Sequence, residues 1–167
     1  KFAQAVRKIN PQLKVVGTVW SPPAWMKANN SIVDTAPGAI QGGDYTLDRN
    51  GVKSQTTNIV RKDRYPHFAK WMVEMARYYE SNGVPMFAMS AANEPQFTQS
   101  FESCVWTAKD LATITGMVGG ELGRHGLGRI KMFGPETMTG FNWDGGPNHL
   151  YTQAMREDPA AWKALGF

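Results

Sequence analysis

One cysteine, Cys104, stands alone in 167 residues, so the chain can build neither an internal disulfide framework nor a cysteine-only metal site. No run of about 18 apolar residues occurs, and a membrane-spanning helix is not expected. The three histidines, His67, His125 and His149, do not fall at metal-ligand spacing. The net charge is +4, from 18 basic and 14 acidic side chains, but the basic residues are scattered and form no long run. A phosphate-tracking stripe for nucleic acid is therefore not expected. There is no internal repeat and no low-complexity tract. The residues given show no signal-peptide pattern, and they open on Lys1 inside an expected helix, with Phe2, Val6 and Ile9 on one face. The expectation is a piece of something longer. What remains is 42% apolar and 19% charged, the balance of a folded domain with a real core.

Apolar runs and helical patterns alternate along the chain. Strands are expected at Leu13–Val19, Pro85–Met89 and Arg129–Phe133. The second run is continuous rather than alternating, as in a strand buried on both faces of a parallel sheet. Helices are expected over 63–81, with Tyr65, Phe68, Met72, Met75, Ala76 and Tyr79 inward. A second is expected over 107–125, with Ala108, Leu111, Ala112, Thr115, Val118 and Leu122 inward. Shorter helices are expected over 147–155 and 159–165. This alternation predicts an α/β fold with a parallel sheet, and periodicity alone leaves both an open sheet and a barrel possible. Residues 29–58, rich in Gly, Asn, Thr and Asp, read as one long loop.

The chemistry-bearing residues gather just after the three strands. The first is followed by Trp20-Ser21-Pro22-Pro23-Ala24-Trp25-Met26-Lys27, the second by Asn93-Glu94-Pro95, and the third by Gly134-Pro135-Glu136, with Trp143 beyond. In barrels and open α/β sheets alike, sites form at the carboxyl ends of strands. Glu94 leaves an apolar strand, and a carboxyl beside an apolar wall has its charged form disfavoured. That suits a general acid. Asn93 can bond a hydroxyl of the same ligand, although Asn-Glu-Pro can also be no more than a turn. Trp20, Trp25, Trp106 and Trp143 fall in loops or at element ends, where flat apolar rings with a polar rim fit a pyranose face or simply pack. Trp71 and Trp162 lie within expected helices. Glu136 can touch substrate, support Glu94 or form an ion pair. Cys104 has no His partner and is expected to be buried. The glycines of 119–123 lie late in a helix, not between a strand and a helix start, and read as close helix packing rather than a phosphate loop.

With these motifs in place, the chain resembles glycoside hydrolase family 30. Trp20–Lys27 looks like the family's segment after its third strand, and Ala92-Asn93-Glu94-Pro95 like the segment after its fourth. Phe101-Glu102-Ser103-Cys104-Val105-Trp106 is similar to the loop before the fourth helix, and Gly134-Pro135-Glu136 to the end of the fifth strand. The resemblance runs over nearly the whole chain. It implies a segment of a (β/α)8 barrel, about strands 3 to 5, with residues 1–167 as part of a catalytic domain. It implies a retaining hydrolysis of β-glycosidic bonds with Glu94 as acid/base. Asn93, Trp20, Trp25, Trp106, Glu136 and Trp143 would be sugar-binding residues. The second carboxylate would come from the seventh strand, outside this chain, and Glu136 sits on the wrong strand for it. The expected substrate is a polysaccharide, xylan first and β-1,6-glucan close behind. No cofactor, metal, nucleic acid or membrane partner is expected. Export is expected from the substrate class. The partners expected are the glycan and the remaining barrel segments. The competing readings are a non-catalytic carbohydrate-binding protein and a cellulase-like enzyme of the same clan.

Overall fold

The computed structural model describes residues 1–34, 57–98, 100–137 and 149–166, and three two-residue strands between the first two of these spans. The elements run α1 (Phe2–Ile9), β1 (Val15–Thr18), β2 (Gly43–Asp44), β3 (Leu47–Asp48), β4 (Gly51–Val52) and α2 (Tyr65–Ser81). They continue β5 (Met86–Ser90), β6 (Phe97–Thr98), α3 (Ala108–Arg124), β7 (Lys131–Met132), α4 (His149–Glu157) and α5 (Pro159–Ala164). The expected α/β alternation is present. β1, β5 and β7 form a parallel sheet in that order, with Thr18 opposite Ser90 and Met89 opposite Met132. Beyond β7, Leu165 makes an isolated parallel bridge to Met132.

The helices pack as their sequences dictate. On α2 the buried positions are Tyr65, Phe68, Ala69, Met72, Val73 and Ala76, spaced three and four apart. Tyr79, expected inward, is exposed instead, because Ala69 and Val73 rotate the buried stripe away from it. The helix α3 lies between α2 and α5 and so buries a wider stripe, from Leu111 to Leu122. Its glycines are the reason it can approach α5. A Cβ on Gly116 would lie 2.8 Å from the Ala160 Cβ, and one on Gly119 only 2.3 Å from that of Ala164. Thr107 caps α3 by accepting a hydrogen bond from the Asp110 N–H at 3.0 Å.

The expected long loop at 29–58 contains structure that the residue pattern hides. β3 and β4 pair with each other antiparallel, and β2 pairs antiparallel with β6. β6 begins three residues after Glu94, so this segment reaches the carboxyl end of the sheet.

Candidate active site

Three backbone hydrogen bonds fix the segment around Glu94. The Asn93 N–H donates to the Val19 carbonyl at 2.8 Å, and the Glu94 N–H to the Glu136 carbonyl at 3.0 Å. The Trp106 N–H then donates to the Pro95 carbonyl at 2.8 Å. An isolated parallel bridge joins Asn93 to Glu136. The exits of all three strands are thus bonded into one platform, with Glu94 on its central strand. Beneath it Val19, Ala91 and Ala92 are buried.

Glu94 itself has φ 41°, the left-handed region that a residue with a Cβ seldom enters. Such a conformation costs roughly 1–3 kcal/mol and persists only where surrounding bonds over-determine it. Here the bonds on both sides of Glu94 do so. Its side chain is half-buried.

Glu136 follows Gly134 and Pro135, with Gly134 at φ 139°. Among the described residues its carboxylate makes no ion pair. Instead Oε1 accepts from the Thr18 hydroxyl at 2.5 Å, so the first and third strands are joined across the end of the second. Nothing in the sequence marks Thr18, because a Thr in an apolar run has no distinguishing local pattern.

The aromatic residues divide. Trp20 is 44% exposed and its ring meets Phe101 at 5.9 Å between centroids. Trp25 is 49% exposed, with the Arg64 guanidinium 5.7 Å from its ring centre and His67 edge-on at 5.7 Å. These two keep surface free for a ligand. Trp106 does not. It is 2% exposed, with its ring against Tyr65 and Phe68, and its carbonyl accepts from the Tyr151 hydroxyl. The expectation of a sugar contact there is corrected: the face that could stack on a ring is spent on the core. Trp143 lies outside the described residues.

Behind the platform is a buried polar cluster that local sequence patterns did not reveal. The Lys27 ammonium, on a residue only 2% exposed, donates to the Ser103 carbonyl at 2.7 Å and to the Ser21 hydroxyl at 3.1 Å. Burial lowers its pKa to about 8, opposed by the nearby Cys104 and Asp34. Cys104 is buried, as expected, and desolvation pushes its thiol up to about 12. Among the described residues no group of three or more His, Cys, Asp and Glu is placed to hold a metal, and no helix is long and apolar enough to cross a membrane.

No protein-family model matches the chain. The endo-1,6-β-D-glucanase BGN16.3 of Trichoderma harzianum is 30% identical over 95 residues, covering 57% of this chain and 17% of that protein. An endo-1,6-β-D-glucanase of Aspergillus fumigatus is 25% identical over 100 residues, 60% of this chain and 19% of its own. Among solved structures, the family 30 subfamily 8 xylanase Xyn30A of Clostridium acetobutylicum superposes with a TM-score of 0.68 at 25% identity, over 98% of this chain and 34% of that one. An endo-β1,6-glucanase superposes with a TM-score of 0.73 at 20% identity, over 98% and 33%, a likeness of fold. The chain therefore spans less than a fifth of these curated relatives and about a third of the solved enzymes. Over that portion it is similar in sequence to endo-1,6-β-glucanases and superposes on a family 30 xylanase, in keeping with the resemblance read from its motifs.

Proposed function

We propose that this chain carries the acid/base half of a retaining glycoside hydrolase that cleaves β-glycosidic bonds in a polysaccharide. The observation that carries the reading is Glu94. It sits in a strained left-handed conformation at the carboxyl end of the central strand, its own N–H bonded to the exit of β7 and that of Asn93 to the exit of β1. Such strain in a non-glycine residue concentrates at functional sites. In this reading β1, β5 and β7 correspond to strands 3, 4 and 5 of a (β/α)8 barrel. Residues 1–167 are then one part of its catalytic domain, and the remaining barrel segments are its partners.

Glu94 protonates the departing glycosidic oxygen in the first step and takes a proton from the attacking water in the second. A second carboxylate, about 5–5.5 Å away in retaining enzymes, forms the glycosyl-enzyme. Glu136 is not that group. It accepts from the Thr18 hydroxyl across the end of the central strand, and its role is to brace the platform. Asn93 bonds a sugar hydroxyl, and Trp20 and Trp25 offer faces to pyranose rings.

Both curated relatives described above act on β-1,6-glucan, whereas the solved relatives include a xylanase. This moves β-1,6-glucan ahead of xylan as the first substrate. Secretion follows from such a substrate, which lies outside cells. The test is hydrolysis by the full-length protein bearing this sequence. Faster release of reducing ends from a β-1,6-glucan than from xylan is expected. Xylan hydrolysis with no action on β-1,6-glucan would reverse the order, and no action on any β-glycan would remove the catalytic reading.

A further inference from the structure

We infer that Lys27 is a positioning residue whose buried ammonium fastens the aromatic loop after β1 to the loop before α3, and so sets the Trp20–Phe101 wall beside Glu94. This rests on the catalytic reading above.

Lys27 ends the segment that carries Trp20 and Trp25, and Ser103 lies two residues after Phe101. The ammonium bonds both loops at once, through the Ser21 hydroxyl and the Ser103 carbonyl. Around it the backbone is stitched in the same sense. Ala28 N–H donates to Ile59, Ser103 N–H to Ile32 and Val105 N–H to Asn58, and the Asn58 amide donates to the Ser103 hydroxyl at 3.0 Å. A lysine is almost never fully buried unless paired. A hydrocarbon side chain would fill this space without desolvating a charge. The ammonium supplies instead a directed bond to a carbonyl on the other loop, which apolar packing cannot give. Both loops are also tied to the Glu94 platform: Val19, just before Trp20, accepts from Asn93, and Trp106 donates to Pro95. The Lys27 ammonium itself bonds Ser21 and Ser103, so a change in the strut acts first on the rim of the site that Trp20 and Phe101 form.

Cys104 reports on the junction, because it is buried and adjoins Ser103, whose carbonyl the Lys27 ammonium holds. The experiment uses the full-length protein as wild type, Lys27→Met and Ser21→Ala. It reads alkylation of Cys104 by iodoacetamide on its own peptide by mass spectrometry, and KM and kcat on β-1,6-gluco-oligosaccharides. Circular dichroism identifies folded variants. The expected result for Lys27→Met is labelling of Cys104 at least tenfold faster and KM raised about tenfold with kcat within twofold. Ser21→Ala, which removes one of the two bonds, should give changes of two- to threefold and decides the matter if Lys27→Met does not fold. Unchanged labelling in a folded variant overturns the strut. Faster labelling with unchanged KM overturns its link to the cleft. A wild type with no turnover would instead count against the catalytic reading, while Cys104 labelling still decides whether Lys27 joins the loops.

Discussion

Glu94 and Lys27 are both polar residues in a setting of buried atoms, yet only one of them could be read from its neighbours in sequence. Glu94 follows an apolar strand and precedes a proline, and that local order places it at a strand end. Its left-handed backbone could not be foreseen, since it depends on a carbonyl 42 positions away in Glu136. Lys27 resembles any surface lysine until the loops close over it. The side that Trp106 takes is illegible in sequence for a related reason. A loop tryptophan can face solvent or the core, and the choice is made by Tyr65 and Phe68 on a distant helix.

The burial of Lys27 has a signed consequence for stability. Its folded pKa, about 8, lies below the ordinary 10.5, so the folded state releases its proton first. Stability then increases as pH rises from about 8 toward 10.5, because the unfolded chain binds more protons there. The wild type should gain on Lys27→Met by about 1 kcal/mol between pH 7.5 and pH 9. Urea unfolding of both proteins at the two pH values measures this, and a flat or falling difference would contradict it. Above pH 9 the buried Cys104 acts in the opposite direction, since the unfolded thiol ionises while the folded one stays protonated.

Among the elements, the helices were the most legible part of the fold. Their apolar spacing repeats over many residues and survives errors at any one of them. The strand β7 is only two residues long, and its limits depend on pairing with β5 rather than on its own sequence. The short strands β2, β3 and β4 were hidden because turn-forming residues surround them. Close helix packing was readable in the glycines of α3, and it yields a prediction whose sign opposes helix propensity. Alanine is the better helix former by about 1 kcal/mol. Nevertheless, Gly119→Ala should destabilise the protein by about 1–3 kcal/mol, because the new methyl collides with Ala164. Thr107→Ala removes the cap of α3 and should cost about 1 kcal/mol. Thermal unfolding separates these outcomes. A raised melting temperature for Gly119→Ala would mean that α3 and α5 do not approach as described.

At the scale of the whole molecule, large apolar side chains are left in the open. Phe2 and Ile9 on α1 are each 85% exposed, and Val16 in the sheet is 60% exposed. Exposed apolar groups that gather into one patch mark a surface that another segment covers. The proposed barrel supplies that cover, consistent with solved relatives about three times as long. A preparation of residues 1–167 alone should therefore bind the dye ANS strongly and self-associate, whereas the full-length protein should do neither.

The central claim is that Glu94 donates the proton to the leaving group, and the dependence of rate on the leaving group tests it most directly. Glu94→Gln in the full-length protein should lower turnover of the β-glucan at least 100-fold. On an aryl glycoside with an activated leaving group, the first step should persist near the wild-type rate. Glucan turnover within twofold of wild type in a folded Glu94→Gln variant would contradict the account.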